Sequence, residues 1–551
     1  MTAYLVRIEA VNLGQVLEDT DQLSVIRGGA LLALAGARAL VERPVTLATS
    51  PLPQPSPGFW ERLSARLGVA GVAADSGSVA VEIPAARISS GASIGLYEVV
   101  FPETAAGPTP DDYQAEVVRR LNQDYPHHTF VVDLAPIPAT PDGFTQAQRL
   151  VTARNRVRQL RQLSLALPGD PRATAVTGPC AWDDLRPAAA PLPRGKGPGK
   201  RSDQVSASVA ARFRHGADHK GAFIREQSGI DLEYARDFEE IATDFPDYRL
   251  RNKLAVLYFD GNGFGAIQDG CRSADQLQDF DDAIQLKRRE LLAQVLRQLA
   301  ADQTHAFYTR QPEPDDPSGA KAVLRFELLL WGGDEILFVV PAWKGLAALF
   351  AFYAATAGWQ WPVGGKDLTH AGALIFCDYK TPIARMTALA REMAEAVKDR
   401  EHGRDRNLFD YLILESIDFP AEPLEQYRAA RYGPLVSCRR PLCPPREGPA
   451  LIRAIAALRE HPDFPRGKLY EGAQALIVHP DAKAAVWQQA LADLEETLTA
   501  DPDTAAVTHR LKVDLAALLP DQDPAWQWLH LIELWDYLAP RPAAGGPGGT
   551  R

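Results

Sequence analysis

With 551 residues, 46% hydrophobic and 23% charged, the chain is too long for a single hydrophobic core and implies roughly three or four domains. A formal charge of −11 excludes a surface that binds nucleic acid along its whole length, and five scattered cysteines exclude a disulfide framework. The N-terminus lacks a basic stretch followed by an apolar core, and the most apolar helical run, residues 345–359, is shorter than the ~20 residues that span a bilayer. A cytoplasmic protein with no membrane segment is the expectation.

In chain order, the first strand expected is Tyr4–Ile8, followed by an apolar helix over Ile26–Val41. Proline-rich breaks come at Ser50–Gly58 and Pro102–Pro110, then a strand at Thr129–Leu134 and a helix over Thr145–Ala166. This half shows no paired acids. Composition then turns to Pro, Gly and basic residues: between Arg194 and Arg225 there are eight Lys or Arg against two Asp. That excess suits either RNA or triphosphate, or a solvated linker. A Walker loop is excluded near Lys200, because Arg201 stands where Ser or Thr is required.

The next stretch predicts a strand (Lys253–Asp260), a helix (Ser273–Leu299) and a hairpin (Val323–Val340) with Gly332 and Gly333 in its turn. A helix (Lys344–Ala357), a strand (Thr369–Phe376), a helix (Ile383–Lys398) and a strand (Leu408–Leu414) follow. Such alternation is that of a ferredoxin-like or palm sheet backed by helices. Beyond Ala421 the pattern is helical in Leu451–Leu458, Ala484–Leu498 and Ala525–Leu538, and the Pro- and Gly-rich end reads as a disordered tail. The fold class expected is α+β, with two ferredoxin-like palm domains and a helical C-terminal domain. The boundaries are 1–170 for a non-catalytic first palm, 171–245 for a basic inter-palm segment, 246–420 for the catalytic palm, 421–540 for the helical domain and 541–551 for the tail.

Two short segments carry the chemistry. Asp260 ends an apolar strand at Gly261-Asn262-Gly263-Phe264-Gly265, and Trp331-Gly332-Gly333-Asp334-Glu335 turns a hairpin. Each sets an acid at a strand end beside glycines, so both reach one sheet edge. Nucleotidyl transfer needs that arrangement, because two Mg²⁺ or Mn²⁺ ions must be held by carboxylates from separate strands. Asp260, Asp334 and Glu335 are the expected catalytic and metal-binding acids, with the Gly261 carbonyl as a further oxygen ligand. The backbone of Gly261, Asn262, Gly263 and Phe264 would cradle phosphate, and Gly332 and Gly333 leave room for ribose or base. Either motif alone is an ordinary strand end or turn; the ordered pair within one βαββ unit carries the inference.

These residues resemble the polymerase-like large subunit of type III CRISPR effector complexes, whose second palm belongs with the GGDEF-like nucleotide cyclases. The likeness runs from Asp260 through Gly332-Gly333-Asp334-Glu335 to Ala371–Pro382, covering about 170 residues, and Lys398 matches a palm lysine that in such enzymes faces the triphosphate. The resemblance implies a nucleotidyltransferase of antiviral defence that joins ATP into cyclic or linear oligoadenylate, with guide or target RNA and small helical CRISPR subunits as partners. Several features depart from it. No His-Asp dipeptide occurs among the 11 histidines, so the family's frequent nuclease domain is not expected here. Cys180 lacks a Cys-x-x-Cys partner, and Cys438 with Cys443 is half a tetrahedral site, so zinc is not expected. Two alternatives stay open: a diguanylate cyclase using GTP, against which Ile336 replaces the signature Phe, and a non-catalytic palm scaffold of a ribonucleoprotein.

Overall fold

The computed structural model describes most of residues 2–448 and the helix at 524–538, with scattered positions between them; the longest segments outside the description within the first part are 49–79, 162–177 and 312–318. Strand β1 (Thr2–Val11), helix α1 (Leu23–Ala37), β2 (Ala85–Gly91), β3 (Ile94–Phe101), α2 (Pro110–Asp124) and β4 (Thr129–Pro136) build an antiparallel sheet in the order β2-β3-β1-β4. This βαββαβ path is ferredoxin-like. The central strand β1 is buried on both faces: Val6 and Ile8 meet Ala33, Tyr113 and Val117 of α1 and α2, while Leu5 meets Phe144, Ala147 and Val151 of helix α3 (Gly143–Gln159).

The sequence reading passes over β2, β3 and α2. Ser and Gly interrupt the apolar alternation in β2 and β3, and the prolines before α2 read as a break. Pro110 in fact opens that helix, where Thr109 and Asp112 close a reciprocal capping box.

The second sheet repeats the path with one addition. It is built from β5 (Lys253–Gly261), α5 (Phe264–Gly270), α6 (Ala274–Ala301), β6 (Glu327–Gly332), β7 (Glu335–Pro341), α7 (Gly345–Thr356), β8 (His370–Asp378), α8 (Ile383–Lys398) and β9 (Leu408–Ile413). The order is β6-β7-β5-β8-β9, antiparallel except for the last pair, so the extra strand is parallel to β8. Alternate residues of β5 face opposite cores. Phe259 stacks on Phe352 of α7 at 3.5 Å, whereas Val256 and Tyr258 face Met386, Ala390 and Met393 of α8. The predicted hairpin Val323–Val340 is two units instead: Lys321–Leu324 pairs with Phe307–Arg310, and the hairpin proper runs from Glu327 to Pro341.

Where the structure describes it, the basic inter-palm stretch is folded, not an open linker, and two of its basic side chains, Arg212 and Lys220, are buried. It holds a hairpin (Ala190–Arg194 with Arg201–Val205) and the 22-residue helix α4 (Ala207–Ser228). Arg212 is fully buried and pairs with Asp19 at 2.7 Å. Lys220 and Arg27 of α1 converge on the fully buried Glu327 of β6, at 2.8 Å and 2.6 Å. One carboxylate thus ties the first domain and α4 to the strand that leads into Gly332 and Gly333.

On the far side, helix α9 (Leu424–Tyr432) packs on α8, and helix α10 (Pro524–Leu538) buries Trp526 and Trp535 against the second domain. Tyr411 of β9 meets His530 and Glu533 of α10. The helices expected at Leu451–Leu458 and Ala484–Leu498 lie largely outside the described residues. No described helix is long and apolar enough to cross a membrane.

Candidate active site

Strand register puts the predicted acids on one edge. Asp260 and Glu335 are Cα partners across β5 and β7, and Gly261 N–H donates to the Asp334 carbonyl at 3.0 Å. Two glycines permit this crowding. A Cβ on Gly261 would sit 2.6 Å from the Phe264 ring, and Gly333 turns the hairpin at φ +56°, a left-handed conformation that costs other residues roughly 1–2 kcal/mol.

Asp260 is 9% exposed, and burial pushes its carboxyl up to about 6, with the neighbouring Asp334 and Glu335 charges adding to the rise. The ammonium of Lys398 opposes that rise: its Nζ lies 2.6 Å from Asp260 Oδ2 and 3.3 Å from Glu395 Oε1. Burial also raises the Asp334 carboxyl, while the Arg288 and Lys398 charges lower it. Glu335 is half-buried and accepts a hydrogen bond from the Tyr258 hydroxyl at 2.5 Å, with Arg391 Nε 3.9 Å away.

The glycine loop divides its tasks. Asn262 is turned inward, donating from its backbone to the Thr369 carbonyl at 2.8 Å and from Nδ2 to Thr369 Oγ1 at 3.0 Å. Phe264 was expected among the nucleotide-binding residues, but its side chain is 3% exposed and packs on the Phe280 and His370 rings, so only its backbone faces the loop. Gly263 leads into α5 at φ +73°. Gly332 is buried, whereas Gly333 is half-exposed beside Gly91 of the first domain.

Among the described residues no group of three or more His, Cys, Asp or Glu side chains is placed to hold a metal ion by itself. Mg²⁺ does not require one, since it is commonly held by one or two carboxylates together with substrate phosphates. Asp260, which already holds an ammonium, with Glu335 opposite it in register, is the kind of oxygen donor a hard cation takes.

Tyr258 and Arg391 escaped the sequence reading. Tyr258 lies two residues before Asp260, hence on the same strand face, and Arg391, Glu395 and Lys398 follow helical spacing along one face of α8. Those periodicities were the available signal. Arg288 was also missed: it is buried, stacks over Trp331 at 4.6 Å, and desolvation lowers its guanidinium to about 10.

No protein-family model matches the sequence, and neither does any curated protein. Solved structures do match. The Csm1-Csm4 cassette in complex with pppApApA superposes with a TM-score of 0.50 at 13% identity, covering 98% of this chain and 69% of the matched chain. The cassette in complex with cA4 gives 0.49 at 14% identity, and the Csm1-Csm4 subcomplex in the type III-A CRISPR-Csm interference complex gives 0.47 at 14%; each covers 98% of this chain and 70% of the other. At these identities the likeness is one of fold, and the fold is that of the type III CRISPR large subunit which the motifs resemble.

Proposed function

We propose that the chain is a metal-dependent nucleotidyltransferase that joins nucleoside triphosphates, with ATP first among them, into a cyclic or linear oligonucleotide signal of antiviral defence. The observation that carries this reading is the opposition of Asp260 and Glu335 across β5 and β7, with Asp334 at the turn and Lys398 on Asp260. The solved cassette of the same fold holds pppApApA, an adenylate oligomer with a 5′ triphosphate, which favours ATP as substrate. Residues 246–420 would form the catalytic palm and 1–170 its partner palm, with 171–245 between them and 421–540 as a helical domain.

In the reaction a ribose hydroxyl attacks the α-phosphate, its proton passes to solvent, and the bond to pyrophosphate breaks. Mg²⁺ held by Asp260, Asp334, Glu335 and the Gly261 carbonyl would acidify the hydroxyl and neutralise the leaving charge. The chain's own groups do the rest. Lys398, beside Asp260, would supply a positive charge to phosphate. The backbone around Gly261–Gly263 approaches the phosphates without steric hindrance, and Tyr258 holds the Glu335 carboxylate in one orientation. Gly332 and Gly333 leave space for the sugar.

The test is incubation of the full chain, alone and with target RNA and the small subunits of its complex, with each labelled NTP and Mg²⁺ or Mn²⁺, beside Asp260→Ala/Asp334→Ala. Pyrophosphate with an oligomeric product, absent in the double variant, is expected, most strongly with ATP. A product from GTP alone would favour the diguanylate cyclase. Stable RNA and subunit binding without turnover under any condition would overturn the enzyme reading in favour of a scaffold.

A further inference from the structure

Helix α3 has two apolar faces, and the first domain uses one. Phe144, Ala147 and Val151 are buried on the sheet, while Leu150, Ala153, Val157 and Leu160 are exposed on another side; Leu150, Val157 and Leu160 are 41, 52 and 88% accessible. The exposed residues are spaced three, four and three apart. That is the a and d pattern of a helix–helix seam, running about 15 Å along the axis. The flanking e and g positions are Arg149, Arg154, Arg156 and Arg161, all arginine, and residues 143–161 contain no acid in a chain of net charge −11. Arg154 and Arg156 are steadied from below, by the Leu134 carbonyl and by Glu9 at 3.1 Å. Beside the seam a groove of about 820 Å³ opens between α2 and α3, lined by Ala153, Arg154, Val157, Arg158 and Arg161 together with Asp111, Gln114 and Asp133, the last paired with Arg158 at 2.9 Å.

In the second domain the counterpart helix, α8, follows the fourth strand in the same way, and Leu424 of α9 joins the core between α8 and its sheet. No described element covers the a and d face of α3.

We propose that this face of α3 docks a helix of a partner protein, amphipathic, with apolar a and d residues and Glu or Asp at its flanking positions. Charge complementarity selects that occupant. A second copy of α3 would set arginine against arginine. Single-stranded RNA gains little from exposed leucine and valine, because its bases seek aromatic or guanidinium planes on which to stack. The proposal is independent of the catalytic reading.

The experiment uses the full chain and two labelled 21-residue helical peptides, with Leu at a and d and either Glu or Lys at e and g, followed by fluorescence anisotropy at low and moderate salt. The Glu peptide should bind at least tenfold tighter than the Lys peptide, and its affinity should fall with salt. Leu150→Ser/Val157→Ser should weaken it tenfold or more, and Arg149→Glu/Arg161→Glu should reverse the preference between the peptides. Thermal melts establish that these surface variants stay folded. Equal binding of both peptides, no binding of either, or Ser variants that bind like the wild type would each overturn the proposal. A labelled RNA that loses affinity with the Arg variants but not with the Ser variants would assign the face to nucleic acid and overturn it as well.

Discussion

The two ferredoxin-like sheets can be laid on one another by their hydrogen bonds, and the difference at the turn explains why chemistry is assigned to one of them. Gly261 N–H donates to the Asp334 carbonyl; in the first domain Ala10 N–H donates to the Ser93 carbonyl at 2.8 Å. Asp260 pairs in register with Glu335, and Glu9 pairs with Ile94. Glu9 therefore stands where Asp260 does, Ser93 where Asp334 does and Ile94 where Glu335 does. The strand-end acid even keeps a helical cation: Arg156 of α3 reaches Glu9 as Lys398 of α8 reaches Asp260. The first domain has the acid and its counter-ion without the turn acids, and its Glu9 is further neutralised by Arg7 at 2.8 Å. One carboxylate closed in by two guanidinium groups is a structural ion pair, whereas the second domain gathers three acids at one edge, with Asp260 on Lys398 and Glu335 3.9 Å from Arg391.

The sharpest way to break this comparison is to write the first turn into the second domain. Asp334→Ser/Glu335→Ile should lower product formation at least ~10³-fold, the scale of several kcal/mol of lost charge stabilisation, while Glu9→Gln should leave it within about threefold; pyrophosphate release measures both. Next in size is the joint between the domains. Glu327→Ala leaves Arg27 and Lys220 buried without their carboxylate and should destabilise the fold by about 3–5 kcal/mol, read as a fall in denaturant midpoint, with Glu327→Leu/Arg27→Met recovering part of the loss.

A third measurement uses pH. Both domains bury a neutral histidine at the start of the fourth strand: desolvation holds His128 down at about 4 and His370 at about 3. For His128 the unfolded chain takes up the proton first, near 6.5, so stability present above that value is lost as pH falls toward 4. The stability difference between wild type and His128→Gln should accordingly shrink by about 1.4 kcal/mol per pH unit over that window, on the order of 3 kcal/mol in all, by guanidinium titration at pH 7 and pH 4.5. The smallest effect belongs to the hairpin tip. Gly333→Ala forces a side chain into φ +56° and should cost roughly 1 kcal/mol, seen as a melting temperature a few degrees lower.

Much of the second domain was legible because its strands end in chemistry. The apolar run before Asp260 and the Gly332-Gly333 turn mark both the elements and the edge where they meet, and the family resemblance singles out Lys398. The first domain was harder to read. Its hairpin is broken by serines, its helix α2 hides behind prolines, and Glu9 carries no motif that marks it as the counterpart of Asp260. The Phe264 ring could not be placed from its position after a glycine loop: an aromatic ring there stabilises more by joining Phe280 and His370 than by facing solvent, and its backbone stays the part read as phosphate-binding.

The sequence alone determined the α+β class and the ordered acids of the second sheet, because strand periods fix which side chains share a face, while Lys398 was singled out by the family resemblance. Only the tertiary structure decided the partners. Glu327 with Arg27 and Lys220, Arg212 with Asp19, and Glu9 with Arg156 join residues 107 to 300 positions apart in the chain. Local periodicity holds no record of such pairs. They are selected by which charges must find one another once water is excluded from between the domains.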